Sequence, residues 1–497
     1  MPKKIPEGLP YLIIIGFLER LAFWGVQSLL LVYILQTLPM GVDERLSLYA
    51  AFMILNYVAP LMGGWFADNF IGNQKGLRFG LLIQSFGLFV LLYKHPIAIY
   101  IGLGAIILGT GFLRVNIFSL LGKLYGKENP AIDVGFTSLY YLISVAGLLA
   151  PFITLKVAHM LDWNYACGFL GILLLTAFFP LEKARTSFGY HGVEPSLNTH
   201  LSRYVSYKAV KRFFYTSSLV MAPIFSYLLW KHNWIGTLLP LASIFVCFFI
   251  VYLSVVHKMY KIMFFYLVIL IFNLCFIALF NQAAAFISLL TSQANTTNLE
   301  SVFGRAASLL LFESFSVSKT SEFFNLLNAC TLLMTGPLVV LVWQWINRRK
   351  KQALPTVKFA LGFFFAAIGF AVLSQIHRFG LTMEGHLTFW WLLFSQFLLV
   401  AAELFIVPVA LAQITRVVPY KYLGVLIGVW FLSLSGAQRL GNWFLGKMHI
   451  MPLQAHPDTL HALCDGFVTF GWWAFAFAIL ALFMSIVCHK CSAVTQR

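Results

Sequence analysis

The chain has 497 residues, 60% of them hydrophobic and only 10% charged. Soluble domains carry about 25% charged residues, so the composition excludes a soluble globular protein. The net charge of +17 does not make it a nucleic-acid binder, because 50 Phe and 13 Trp lie largely within apolar runs; Lys and Arg are read instead as cytoplasmic loop residues.

Apolar stretches of spanning length fall near 10–36, 47–68, 77–94, 97–121, 136–158 and 163–180. Each is long enough for a helix to cross a hydrocarbon core of about 30 Å. A polar, basic interval follows, then two stretches near 214–230 and 234–255. Six more lie near 262–288, 321–346, 357–376, 387–413, 421–446 and 467–488. The expectation is an all-α polytopic membrane protein with fourteen transmembrane helices arranged as six, two and six. The domains expected are an N-terminal bundle at 1–185, a linker with an extra hairpin at 186–258, and a C-terminal bundle at 259–497. The first run is too long for the apolar core of a signal peptide and lacks a small-residue cleavage site, so it is expected to remain as an anchor.

Basic residues set the topology. Lys3, Lys4, Lys75, Arg78, Lys123, Lys127, Lys183, Arg185, Lys258, Arg348, Arg416 and Lys490 all fall on one side if the middle pair goes out and returns. Both termini are then expected to be cytoplasmic. The sequon Asn295-Thr296-Thr297 lies on the other side and carries no function in this reading. The seven cysteines give no disulfide framework, and Cys488 and Cys491 alone offer too few ligands for a metal. No metal or other cofactor is expected, and no nucleophile–base pair points to an enzyme.

Charges at membrane depth carry the functional signal. Glu19 and Arg20 interrupt the first apolar run, where a mid-helix charge costs about 2.5–3.5 kcal/mol on insertion scales. Helical spacing puts Glu19, Phe23 and Gln27 on one stripe, with Arg20 and Trp24 on the next. Arg114 lies about seventeen residues into its helix, a depth similar to that of Glu19, so the three charges are expected to meet. Glu403 is the acid of the C-terminal half. Arg439 lies near the outer rim, where snorkelling competes with a gating role. Two acids against three bases leave the membrane interior at net +1. At the end of the second span, GGWFADNFIGNQKGLR (Gly63–Arg78) combines Gly64 for close helix contact, Asp68 at a helix end, and Lys75 and Arg78 at the surface.

That segment resembles the cytoplasmic gate motif of the major facilitator superfamily, whose two six-helix halves are related along the membrane normal. Several others resemble the proton-dependent oligopeptide transporter family. GFLERLAFWGVQ matches its E-x-x-E-R signature at Glu19 and Arg20, with Gly16 in place of the first Glu. Phe23 and Trp24 stand where two tyrosines are usual, and Gln27 where an Arg is usual. Ile99–Tyr125 resembles the fourth helix, with Arg114 for its Lys; Phe136–Pro151 resembles the fifth, with Val145 for its Asn. Glu322–Leu338, which contains Asn328, and Thr356–Gly362 resemble the eighth and ninth, and Ala401–Leu411 carries the tenth-helix Glu as Glu403. Asn281 stands where the seventh helix usually has an acid. Tyr57 resembles a pocket tyrosine.

The resemblance implies a secondary transporter working by alternating access, expected to take up di- and tripeptides or related small zwitterions with protons. Glu403 would take the peptide's amino group and Arg114 its carboxylate, in a pocket with Phe23, Trp24, Gln27, Tyr57, Asn281 and Asn328. Glu19, Arg20, Arg114 and Arg439 would serve coupling and gating. Loss of acids at Gly16 and Asn281 leaves an alternative open: a carrier of an anionic metabolite, such as a polycarboxylate or siderophore, with altered or absent proton coupling. The expected partners are a small-molecule substrate, protons where coupling persists, and the lipid bilayer; a monomer is expected.

Overall fold

The computed structural model describes residues 5–38, 40–194, 207–293, 320–348, 355–376, 389–447 and 457–495, and among them regular structure is helical throughout. Among the described residues, fourteen long helices follow the fourteen apolar stretches. They are α1 (Leu9–Thr37), α2 (Val42–Phe66), α3 (Gly72–Val90), α4 (Pro96–Tyr125), α5 (Ile132–Leu161), α6 (Trp163–Leu175), α7 (Tyr207–Trp230) and α8 (Ile235–Val256). After them come α9 (Tyr260–Gln293), α10 (Thr320–Arg348), α11 (Pro355–Ser374), α12 (Phe389–Val417), α13 (Leu423–Lys447) and α14 (Pro457–Thr495). Among the described residues, 11 helical segments are long and apolar enough to cross a membrane, one of them running through α2 and α3 as Val42–Val90. The sequon at Asn295 lies outside the described residues, as do the side chains of Cys488 and Cys491.

The ends follow from local chemistry. Pro10 sits in the first turn of α1, where its missing N–H costs nothing. Pro96 does the same in α4, whose first turn is also capped by the His95 ring accepting from the Ile97 N–H at 3.2 Å. Asp162 stands between α5 and α6 at φ 132°, and its carboxylate accepts the Trp163 N–H at 2.7 Å. It also pairs with Lys94 of the α3–α4 turn, which holds its carboxyl below the usual range.

The chain divides into two compact units. The first comprises residues 1–269 together with 411–435; the second comprises 270–410 and 436–497. In the first unit α4 is the most enclosed helix, with Arg114 among its buried residues. Glycines let its backbone meet its neighbours: a Cβ on Gly63 of α2 would lie 2.5 Å from the Gly111 carbonyl oxygen, and one on Gly80 of α3 would lie 2.9 Å from that of Gly109. Such contact maximises dispersion where water gives no hydrophobic drive between helices. The α7–α8 hairpin packs on α4 at Gly104, against Ser226, and turns its large apolar residues (Phe245, Phe248 and Val255 among them) outward. In the second unit, Phe272 and Phe276 of α9 pack on Phe359 and Phe363 of α11, and Trp343 of α10 on Phe405 of α12.

Candidate functional site

Two polar clusters lie inside the first unit. The first is at mid-helix. Glu19 is 1% exposed and accepts two hydrogen bonds from its own neighbour Arg20, from Nε at 2.5 Å and Nη2 at 2.7 Å. Arg114 of α4 approaches the same carboxylate, with Nε 3.8 Å from Glu19 Oε1. Arg114 is 5% exposed, and among the described residues its Nε and Nη2 have no hydrogen-bond partner. Phe23 lies against both guanidiniums, its ring centroid 4.0 Å from Arg114 Cζ and 5.0 Å from Arg20 Cζ. The structure thus brings Glu19, Arg20, Arg114 and Phe23 together, with two bases around one acid.

The other residues singled out from the first bundle sit at its edge. Gln27 is half-buried, with its side chain close to Tyr49 of α2. Tyr57 is half-buried within electrostatic range of Arg20 and Tyr49. Trp24 is 38% exposed and lies against Gly147 of α5. Gly16 faces α5 as well, and a Cβ there would stand 3.1 Å from Ile143 Cδ1. The place of the missing acid is therefore filled by aliphatic packing. Phe52, which stacks on Phe23 at 6.3 Å, and Tyr49 were not anticipated. Tyr49 and Tyr57 are eight residues apart on one helix, a spacing that puts both on one face and was legible.

The second cluster joins the ends that carry the basic loops. The segment Gly63–Arg78 leaves α2 through a π-helical turn (Ala67–Ile71) and enters α3 at Gly72, φ 74°. Asp68 is 6% exposed and accepts the Val425 N–H of α13 at 2.9 Å, with Lys123 3.7 Å away. Lys123 donates to Asn73 at 2.5 Å, and Asn73 donates to Asn116 at 2.7 Å. Beside them Asp133 of α5 accepts from Gln413 at 3.3 Å and faces Arg416 at 3.5 Å, while Arg416 also donates to the Asn129 carbonyl at 3.3 Å. Gly64 meets the backbone of Gly424, so that a Cβ on it would lie 2.3 Å from that carbonyl oxygen. Lys75 pairs with Glu194, and Arg78 with Glu182 at 2.9 Å. The Gln74 side chain donates to the carbonyls of Gly189 and His191, so the segment after α6 is strapped onto the α2–α3 turn.

In the second unit, Glu403 is half-buried on α12. Asn328 of α10 accepts from Gln396 of α12 at 3.0 Å. Asn281 is half-buried on α9 beside Gln282, whose side chain lies against Gly441 of α13. Arg439 is exposed on α13. Among the described residues no group of His, Cys, Asp or Glu could hold a metal ion.

Known proteins resemble the chain over nearly all its length. It is 26% identical over 468 residues to dipeptide and tripeptide permease A of Chromobacterium violaceum, covering 92% of this chain and 87% of that one. A solved bacterial homologue of the human drug peptide transporters superposes with a TM-score of 0.65 at 18% identity, over 97% of this chain and 99% of the other. A peptide transporter POT solved in complex with sulfate gives 0.62 at 22% identity, over 98% and 96%. The fold is that of the major facilitator transporters. The POT family profile matches residues 69–454, more than half of the chain, and the protein therefore belongs to the POT family of integral membrane transporters.

Proposed function

We propose that this protein carries di- and tripeptides across the membrane by alternating access, with Arg114 receiving the peptide's carboxylate. The observation that carries the proposal is the state of Arg114: buried, with two nitrogens lacking hydrogen-bond partners among the described residues, beside a Glu19 already held by Arg20. A buried donor left unsatisfied costs about 1–3 kcal/mol, more for a charged group, and a bidentate carboxylate removes that cost. Glu403 is proposed to take the peptide's amino group, and Asn281, Asn328, Gln27, Tyr57 and Trp24 to shape the pocket. Related permeases named for dipeptides and tripeptides support the substrate class. Uptake is proposed to be inward and coupled to protons, with Glu19, Arg20 and Arg439 in coupling and gating. No chemical step is required of the chain.

The two halves are proposed as 1–185 and 259–497, joined by the linker and hairpin, in a monomer of the plasma membrane with both termini cytoplasmic. Support comes from the second cluster, where Lys75, Arg78, Lys123 and Arg416, each near a helix end of the first unit, are held by carboxylates. The experiment is uptake into proteoliposomes of alanyl peptides against citrate-like acids, with and without an inward proton gradient. Peptide uptake driven by the gradient supports the proposal. Uptake of the acids in place of peptides overturns it, and gradient-independent peptide uptake removes the coupling alone.

A further inference from the structure

We infer that Phe23 is a specificity-determining residue: its ring supports two guanidiniums at once and holds Arg114 ready for a carboxylate ligand. The inference rests on the peptide-transport reading. Both guanidinium carbons, at 4.0 and 5.0 Å from the ring centroid, lie within the range of about 6 Å over which an aromatic face attracts a cation. The ring is itself fixed. It is 2% exposed, stacks on Phe52 at an interplanar angle of 16°, and meets the edge of Trp24 at 5.8 Å.

The reason for such a support is the shortage of acid. Glu19 spends its two short hydrogen bonds on Arg20 and reaches Arg114 only at 3.8 Å. A second carboxylate beside Arg114 would neutralise it and compete with any incoming anion. An aromatic face does neither: it attracts the cation through its quadrupole and accepts none of the in-plane N–H bonds. Phenylalanine suits this better than tyrosine, because it offers no hydroxyl oxygen to occupy an N–H. The planar fork of Arg114 is thereby kept available to an acceptor of matching shape, a carboxylate before an amide.

The test is binding of alanyl-alanine and of alanyl-alanine amide to the purified full-length protein, for the unaltered chain, Phe23→Leu, Phe23→Tyr and Arg114→Lys, with the Phe23→Leu/Arg114→Lys double variant closing a cycle. Phe23→Leu is expected to weaken the free-carboxylate peptide by about 2- to 30-fold and to leave the amide unchanged. Phe23→Tyr keeps the face and restores most of the affinity. The double variant is expected to be non-additive. Equal losses for both peptides, no loss for either, or strict additivity would each overturn the inference and leave Phe23 as packing. If Phe23→Leu does not fold, Phe23→Met, which keeps volume and apolarity, makes the same comparison. An unaltered protein that binds neither peptide overturns the transport reading instead, which separates the two failures.

Discussion

The two buried polar clusters of the first unit differ in how their charges are matched. At the end of the basic loops, two acids, Asp68 and Asp133, face two bases, Lys123 and Arg416; Asn73 and Asn116 extend the first pair, and Gln413 donates to Asp133 in the second. At mid-helix one acid, Glu19, faces both Arg20 and Arg114, and nitrogens of Arg114 are left over. Burial alone therefore does not set the two clusters apart. The cluster at the basic loops is balanced in charge, whereas the mid-helix one carries one more guanidinium than carboxylate, the surplus on which the proposed carboxylate contact rests.

Substitutions can break this contrast. The largest effect is expected from Arg114→Ala, which removes the surplus: peptide uptake falls by about 100-fold or more, the range for truncating one partner of a buried charge pair in a binding contact, while detergent-solubilised protein stays folded and monodisperse. Asp68→Asn comes next. It keeps an oxygen for the Val425 N–H but leaves Lys123 without its acid, and initial uptake rates are expected to fall about 10-fold, with binding affinity measured in detergent unchanged. Asp133→Asn should cost less, because Arg416 keeps the Asn129 carbonyl. Were either to weaken binding as much as Arg114→Ala, the contrast would not hold.

Gly16→Glu tests the filled space beside the mid-helix cluster. The new side chain meets Ile143, and overpacking of this kind costs about 1–3 kcal/mol, read as a lower Tm; adding Ile143→Ala should restore stability. The smallest effect belongs to the exposed Lys94–Asp162 pair. Asp162→Ala removes the α6 cap and should lower the Tm by about 2 °C or less at neutral pH. Because the pair lowers the Asp162 pKa, its contribution is present at neutral pH and lost as the pH falls through that lowered value. The two melting curves should therefore converge on acidification.

The helices were legible because apolar runs of spanning length have few other solutions. The mid-helix cluster was legible as well: charge in the middle of an apolar run is costly wherever it stands, so Glu19, Arg20 and Arg114 stand out in a single sequence. The matched cluster was less so. Asp68 came from a motif, but Asp133 and Arg416 lie 283 residues apart, and Asn73, Asn116 and Gln413 are ordinary polar residues until folding brings them to partners. The strap from Gly189 and His191 to Gln74 uses backbone carbonyls, which leave no mark in the sequence. Spacing placed Trp24 on the stripe of Arg20, but the contact of its ring with Gly147 depends on how α1 packs on α5 and was not legible.

The approach of α2 to α13 carries one more consequence. At Gly64 against Gly424, and again where a Cβ on Gly428 would lie 2.6 Å from Leu61 Cα, main chain rests directly on main chain with no side chain between. Side chains can follow a widening gap by changing rotamer, but a bare backbone cannot, and a gap of about 0.5–1 Å already forfeits a quarter to a half of the dispersion attraction. A crossing of this kind tolerates little widening before its attraction is lost, and even one methyl group at Gly64 would force the two helices apart.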